Sequence, residues 1–192
     1  MKLPSSYAIV MLVCGIVLLY ISMAIAGISL FYFKEYNNLI QPLYTFSSVL
    51  YFTELALMSY VLWLTNDPIR AFSYLLYTGI NILNTLIFTF FASNYKLIQP
   101  LSMLSMLSLI NIVVQSFFIK NNHIAIPYRI FTLTIAFIVG ISMMTPYLAQ
   151  NLFMSMSEVG RFSSITTLLS CAALMYMVIK IYFLSKNEAK AV

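Results

Sequence analysis

Six apolar runs follow one another along the chain, separated by short polar connections: Tyr7 to Phe33, Leu39 to Leu64, Ala71 to Ala92, Leu97 to Ile119, Tyr128 to Leu148 and Ser164 to Leu184. A helix needs about 20 apolar residues to cross a hydrocarbon layer roughly 30 Å thick, and each run meets that length. The pattern therefore predicts an all-α polytopic membrane protein with six transmembrane helices in a single domain spanning residues 1–192. Short connections make successive helices antiparallel neighbours. The prolines fit this reading: Pro68 and Pro127 are expected at helix starts, and Pro42 and Pro100 in the first turn of the even-numbered spans, where a missing N–H costs nothing.

A repeat underlies the pattern. Leu39-Ile40-Gln41-Pro42-Leu43 returns unchanged as Leu97-Ile98-Gln99-Pro100-Leu101, an offset of 58, and Phe46-Ser47-Ser48 returns at twice that offset as Phe162-Ser163-Ser164. Ala56 and Tyr60 keep the same register with Ala172 and Tyr176. Pro68-Ile69-Arg70-Ala71-Phe72 resembles Pro127-Tyr128-Arg129-Ile130-Phe131 at an offset of 59. Together these predict three tandem helical hairpins, over about 7–64, 71–119 and 128–184. Each hairpin crosses the membrane twice, so the repeats share one orientation and their axis runs along the membrane normal. Two arrangements fit: a six-helix ring with approximate threefold symmetry, or an irregular bundle that has lost it.

Composition agrees, with hydrophobic residues at 62% and charged residues at only 8%, against roughly 25% charged in a soluble domain. Almost no extramembrane mass remains, and even the longest external segment, Ala149 to Ser163, is too short for a folded domain. The net charge of +5 raises the question of an acidic partner. The basic residues are scattered singly at span ends, however, so nucleic-acid binding is not supported. One side would carry Lys2, Arg70, Lys120, Arg129, Lys180, Lys186 and Lys190, and the other Lys34, Lys96 and Arg161. The positive-inside rule then places both termini in the cytoplasm. Lys2, an apolar run and Ala24-Ile25-Ala26 imitate a secretory signal, but the run continues through Phe31 and reads as an uncleaved first span. Short loops favour a bacterial plasma (inner) membrane.

One residue departs from this economy. Glu54 lies near the midpoint of the second span, where a charge costs at least about 2.5–3.5 kcal/mol on insertion scales. Its repeat equivalents are Ile112 and Ser170, so the carboxylate breaks the symmetry of its own scaffold. Asn81 and Asn84 share a face of the third span, and Asn111 and Gln115 a face of the fourth. With Ser170 they are the candidates for a polar site around Glu54 that would take an ion, a small solute or a lipid head group. The plainer reading of the amides is interhelical hydrogen bonding. Arg70, Arg129 and Lys120 are candidates for a cytoplasmic entrance, or else snorkelling contacts to lipid phosphate.

Catalysis is not expected. Asp67 is the sole aspartate, His123 the sole histidine, and no glycine-rich phosphate loop occurs. Cys14 and Cys171 fall inside spans without metal-ligand spacing, which predicts neither a disulfide nor a zinc site. No cofactor is expected: one histidine cannot supply paired haem ligands, and Lys180 lies too near a span end for a retinal Schiff base. Met103, Met106, Met143, Met144, Met154, Met156, Met175 and Met177 are expected to fill gaps between helices. Two function classes remain. The first is transport, channel or lipid handling around Glu54. The second is a non-catalytic membrane subunit or assembly factor that meets a partner, or another copy of itself, through Ala24, Gly27, Ala172 and Ala173.

Overall fold

The computed structural model describes residues 5–31, 33–90, 95–151 and 156–189. They form six helices: α1 (Ser5–Phe31), α2 (Phe33–Leu64), α3 (Pro68–Phe90), α4 (Tyr95–Ser116), α5 (Asn122–Asn151) and α6 (Met156–Ala189). No strand occurs among the described residues. Five of the helices are long and apolar enough to cross a membrane. Over its described residues α3 stands outside that set, with Arg70, Asn81 and Asn84 in its course.

The helices outrun the apolar segments that predict them. Pro68 opens α3 as expected, but α2 begins more than two turns before Pro42, and α4 and α5 begin more than one turn before Pro100 and Pro127. These three prolines therefore lie inside helices, where each removes a hydrogen bond. The rings of Pro42 and Pro100 stand on the exposed side, where the lost bond need not be met by the packed interior. The expected external connection of Ala149 to Ser163 is likewise largely helical, because α5 runs to Asn151 and α6 starts at Met156. Polar flanks continue a helix once it is nucleated, since each further residue adds one backbone bond.

Each helix packs on its neighbours in the chain, and α6 packs back on α1, closing the series into a ring. The interior is filled by Leu18, Leu55, Met58, Leu62, Tyr74, Ile112, Tyr128, Phe131 and Leu174, all fully buried. Serines and threonines are buried with them, among them Ser22, Ser59, Thr78, Ser116 and Thr132. Many of these hydroxyls donate to a carbonyl three or four residues earlier, as Ser59 does to Leu55 and Thr132 to Tyr128, so their burial leaves no donor idle. The outside is the apolar side: Val13, Val49, Phe72, Leu107, Phe137 and Leu169 are exposed, one from each helix in turn.

Two turns at one end of the ring are joined through Asp67. The end of α2 closes as a Schellman motif, with the Asp67 N–H donating to the Leu62 carbonyl (3.1 Å) and the Asn66 N–H to the Trp63 carbonyl (3.1 Å). Asn66 takes the left-handed conformation this requires, at φ 60°, which asparagine tolerates better than most residues. Asp67 is 2% exposed. Its carboxylate pairs with the Arg70 guanidinium at 3.1 Å and accepts the Lys120 backbone N–H at 3.2 Å, from the turn between α4 and α5. Arg129 binds that second turn from the other side, donating to the carbonyls of Ser116 and Phe117 at 3.2 and 3.1 Å.

Replacing Asp67 by Ala frees a half-buried guanidinium and the Lys120 backbone N–H together. The expected loss is roughly 1.5–3 kcal/mol, the range for hydrogen bonds to charged groups, read as a lower unfolding midpoint in detergent. Lys120→Ala should be close to neutral, because only the backbone of Lys120 takes part.

Candidate functional site

A cavity of about 330 Å³ opens between α2, α3, α5 and α6. From α2 it receives Tyr44, Ser47, Ser48, Tyr51 and Phe52, positions that helical spacing puts on one face. Tyr77 and Asn81 come from α3, Ile135, Ile138 and Val139 from α5, and Thr167, Ser170 and Cys171 from α6. These residues lie in the half of the ring away from Asp67. Towards Asp67 the ring is plugged by aromatic packing. The Tyr74 ring stands edge-on to Tyr128, centroids 5.2 Å apart at 84°, and the Tyr128 hydroxyl donates to the Met58 carbonyl at 2.7 Å. A buried phenol needs such a partner, and the bond ties α5 to α2 across the interior.

The polar groups of the lining are oriented. Ser48 donates to the Tyr44 carbonyl (2.9 Å) and Ser170 to the Thr167 carbonyl (2.8 Å), so each hydroxyl hydrogen is committed to its own helix. Asn81 donates to the Tyr77 carbonyl (2.8 Å), and its side-chain oxygen accepts the Ser105 hydroxyl of α4 (2.8 Å). Among the described residues no lysine, arginine or histidine takes part in the lining.

Glu54 stands apart, in the seam between α1, α2 and α6. It is 0% exposed, and neither carboxyl oxygen has a hydrogen-bond partner. A β-carbon placed on Gly15 would lie 3.8 Å from Glu54 Oε1 and 3.0 Å from Met175 Sδ. A side chain at position 15 would therefore press on Met175 and the carboxyl. Along α2, Glu54 lies one turn beyond Tyr51, and along α6, Met175 lies one turn beyond Cys171. Both Tyr51 and Cys171 line the cavity, so the carboxyl sits about one helical turn beneath it.

The predicted site residues thus separate into groups. Asn81 and Ser170 reach the cavity, whereas Glu54 is bonded to none of the predicted polar residues. Asn81 bonds to α4 through Ser105, the interhelical role that was its plainer reading. Asn84, Asn111 and Gln115 are half-buried. Of the proposed entrance residues, Arg70 and Arg129 bind the two turns at the Asp67 end, and Lys120 is exposed there. Met175 and Met177 are buried between helices as expected, but Met103 and Met143 face outward. Met106 is half-buried, and Met144, Met154 and Met156 fall outside the described side chains. Cys14 and Cys171 are free, and Cys171 hydrogen-bonds with Ser22 of α1 at 2.9 Å.

Sequence reasoning missed the polar face of α2. Tyr44, Ser48 and Tyr51 recur at i, i+4 and i+7 in an apolar span, a signal that was present but carried no charge to draw notice. Among the described residues no group of three or more His, Cys, Asp or Glu side chains could hold a metal ion. No protein-family profile, curated protein or solved structure matches the chain. Its class therefore rests on its own geometry: an all-helical bundle of six helices, apolar outside and polar at points within.

The seam predicts a size rule. Gly15→Leu should destabilise by about 1–3 kcal/mol through overpacking, and Met175→Ala added to it should recover part of the loss. Unfolding midpoints of the two single variants and the double variant would measure that coupling.

Proposed function

We propose that the chain is a six-span membrane protein, built as three hairpins, that binds and moves a small solute through the cavity between α2, α3, α5 and α6. The observation that carries this is a cavity of about 330 Å³, lined by hydroxyls and aromatic rings, in a bundle whose outer surface is apolar on every helix. Such a surface is costly in water and suited to lipid, and a pocket of this volume falls in the range of small-molecule sites.

The hairpin reading has support in the way repeat-related positions point. Met58, Ser116 and Leu174, spaced by 58, are all fully buried, and Tyr60 and Tyr176 are both exposed. Arg70 and Arg129 each bind the turn before their own helix. In this reading Glu54 is the functional carboxyl, held in a seam beside the solute path, and both termini face the cytoplasm of a bacterial inner membrane.

A second reading, a non-catalytic subunit or assembly factor, draws on the outer surface. Ala24 and Ala172 are exposed, and a β-carbon on Gly27 would meet nothing within 4 Å. None of these three positions is occupied by close packing within the chain, which suits approach by a partner helix.

Bulky substitutions separate the two. Ser170→Trp fills the cavity and should abolish complementation of a gene deletion while leaving the unfolding midpoint within about 1 kcal/mol. Ala172→Trp, two residues further on and on the outer face, should be silent. The reverse pattern would move the assignment to the partner-binding subunit. Glu54→Gln should keep stability and lose function, whereas a silent Glu54→Gln with a destabilised Glu54→Ala would reduce Glu54 to a packing element.

A further inference from the structure

The cavity is built from groups that favour one sign of charge. Tyr44, Tyr51, Phe52 and Tyr77 bring four aromatic rings to it, and the Tyr51 and Phe52 rings stand edge to face with centroids 6.0 Å apart. Aromatic faces attract cations and repel anions. Ser48 and Ser170 have turned their hydroxyl hydrogens back onto their own helices, so what they offer the cavity is oxygen lone pairs. Asn81 has its carbonyl oxygen engaged by Ser105 and one amide hydrogen by Tyr77. An anion would need a basic group or several N–H donors here, and among the described lining residues the N–H left over is the second amide hydrogen of Asn81, while the Ser47, Tyr51 and Tyr77 hydroxyls can serve either sign by donating or accepting.

Formal charges point the same way. Of the basic side chains described on the four lining helices, Arg70 and Arg129 are bound at the Asp67 end, beyond the Tyr74–Tyr128 plug, and Lys180, over the Tyr176 ring, and Lys186 follow Cys171 by more than two turns along α6 in the same direction. The ionisable side chain one turn beneath the cavity is the carboxyl of Glu54, with no partner on either oxygen. A carboxyl can compensate a cation by giving up its proton, and it has no equivalent way to help an anion.

Resting on the transport reading of this same cavity, we infer that its solute is a small organic cation, an ammonium-bearing molecule held by ring faces and hydroxyl lone pairs, with Glu54 as the compensating charge. An ammonium group with methyl or methylene substituents fits a lining that is both aromatic and acceptor-rich. A bare alkali cation would find too few oxygens, since hard cations take about six or more.

Thiol labelling in the purified protein tests the charge preference and the cavity separately. In a background of Cys14→Ala and Cys171→Ala, Ser170→Cys places one thiol in the lining, and Ser48→Cys provides a second position should the first variant not fold. Each is treated with methanethiosulfonates bearing a trimethylammonium or a sulfonate group, with rates corrected by those of a free small thiol. The expected result is a cation-over-anion preference of at least about tenfold, the lower end for charge-lined clefts. Choline should protect the thiol, and dimethylbutanol, its uncharged carbon isostere, should protect roughly two- to thirty-fold less well, the span of a cation–π contact. Glu54→Gln should bring the preference towards the free-thiol value.

Equal or anion-favouring rates, or equal protection by the uncharged isostere, would overturn the cation assignment while leaving an accessible cavity in place. An unchanged preference in Glu54→Gln would remove Glu54 from the assignment. Failure of both thiols to react even with uncharged methyl methanethiosulfonate would overturn the cavity, and with it the transport reading.

Discussion

The contact on which the arrangement depends is the closure of α6 onto α1. Helices that pack only on their chain neighbours make an open series, and the return of α6 turns that series into a ring with an inside. The seam it creates encloses Glu54, and it stays narrow because position 15 carries no side chain: any β-carbon there would meet Met175 and approach the carboxyl. Ser22 and Cys171 fasten the same interface further along, with a buried hydrogen bond at 2.9 Å. A buried bond of this kind between two helices fixes their register as well as holding them together.

The two acids buried among the described residues illustrate how placement divides labour between residues of the same chemistry. Asp67 meets a guanidinium and a backbone N–H, so its charge is spent on joining two turns. Glu54 is paired with no cation, and neither of its oxygens has a partner within hydrogen-bonding geometry. A buried polar group without a partner costs stability, and a chain that needed only packing there would do better with an apolar residue, as at the fully buried Ile112.

Much of the fold was legible because long apolar runs leave few choices: all six helices lie where the hydrophobic pattern put them. Their ends were not, since Phe33, Tyr95 and Asn122 begin helices in polar sequence that hydropathy cannot distinguish from a loop. For the candidate site, depth was readable and direction was not. Counting residues put Glu54 and Asn81 at similar heights, but only the ring's geometry decides that one faces α1 and α6 while the other faces α4. Rotation about a helix axis is set by packing, and single charged or amide residues in an apolar helix carry little information about it. The hydroxyl and aromatic face of α2 did encode its own direction through its spacing.

The Asp67 junction also has a mechanical meaning. By binding the Lys120 N–H, one carboxylate gives α2, α3, α4 and α5 a common anchorage at one end of the ring. Helices pinned together at one end act as levers: a small change of tilt at the pivot is magnified with distance along them. The cavity lies farther along those helices, so a change of tilt at the junction displaces its walls more than it displaces the junction itself.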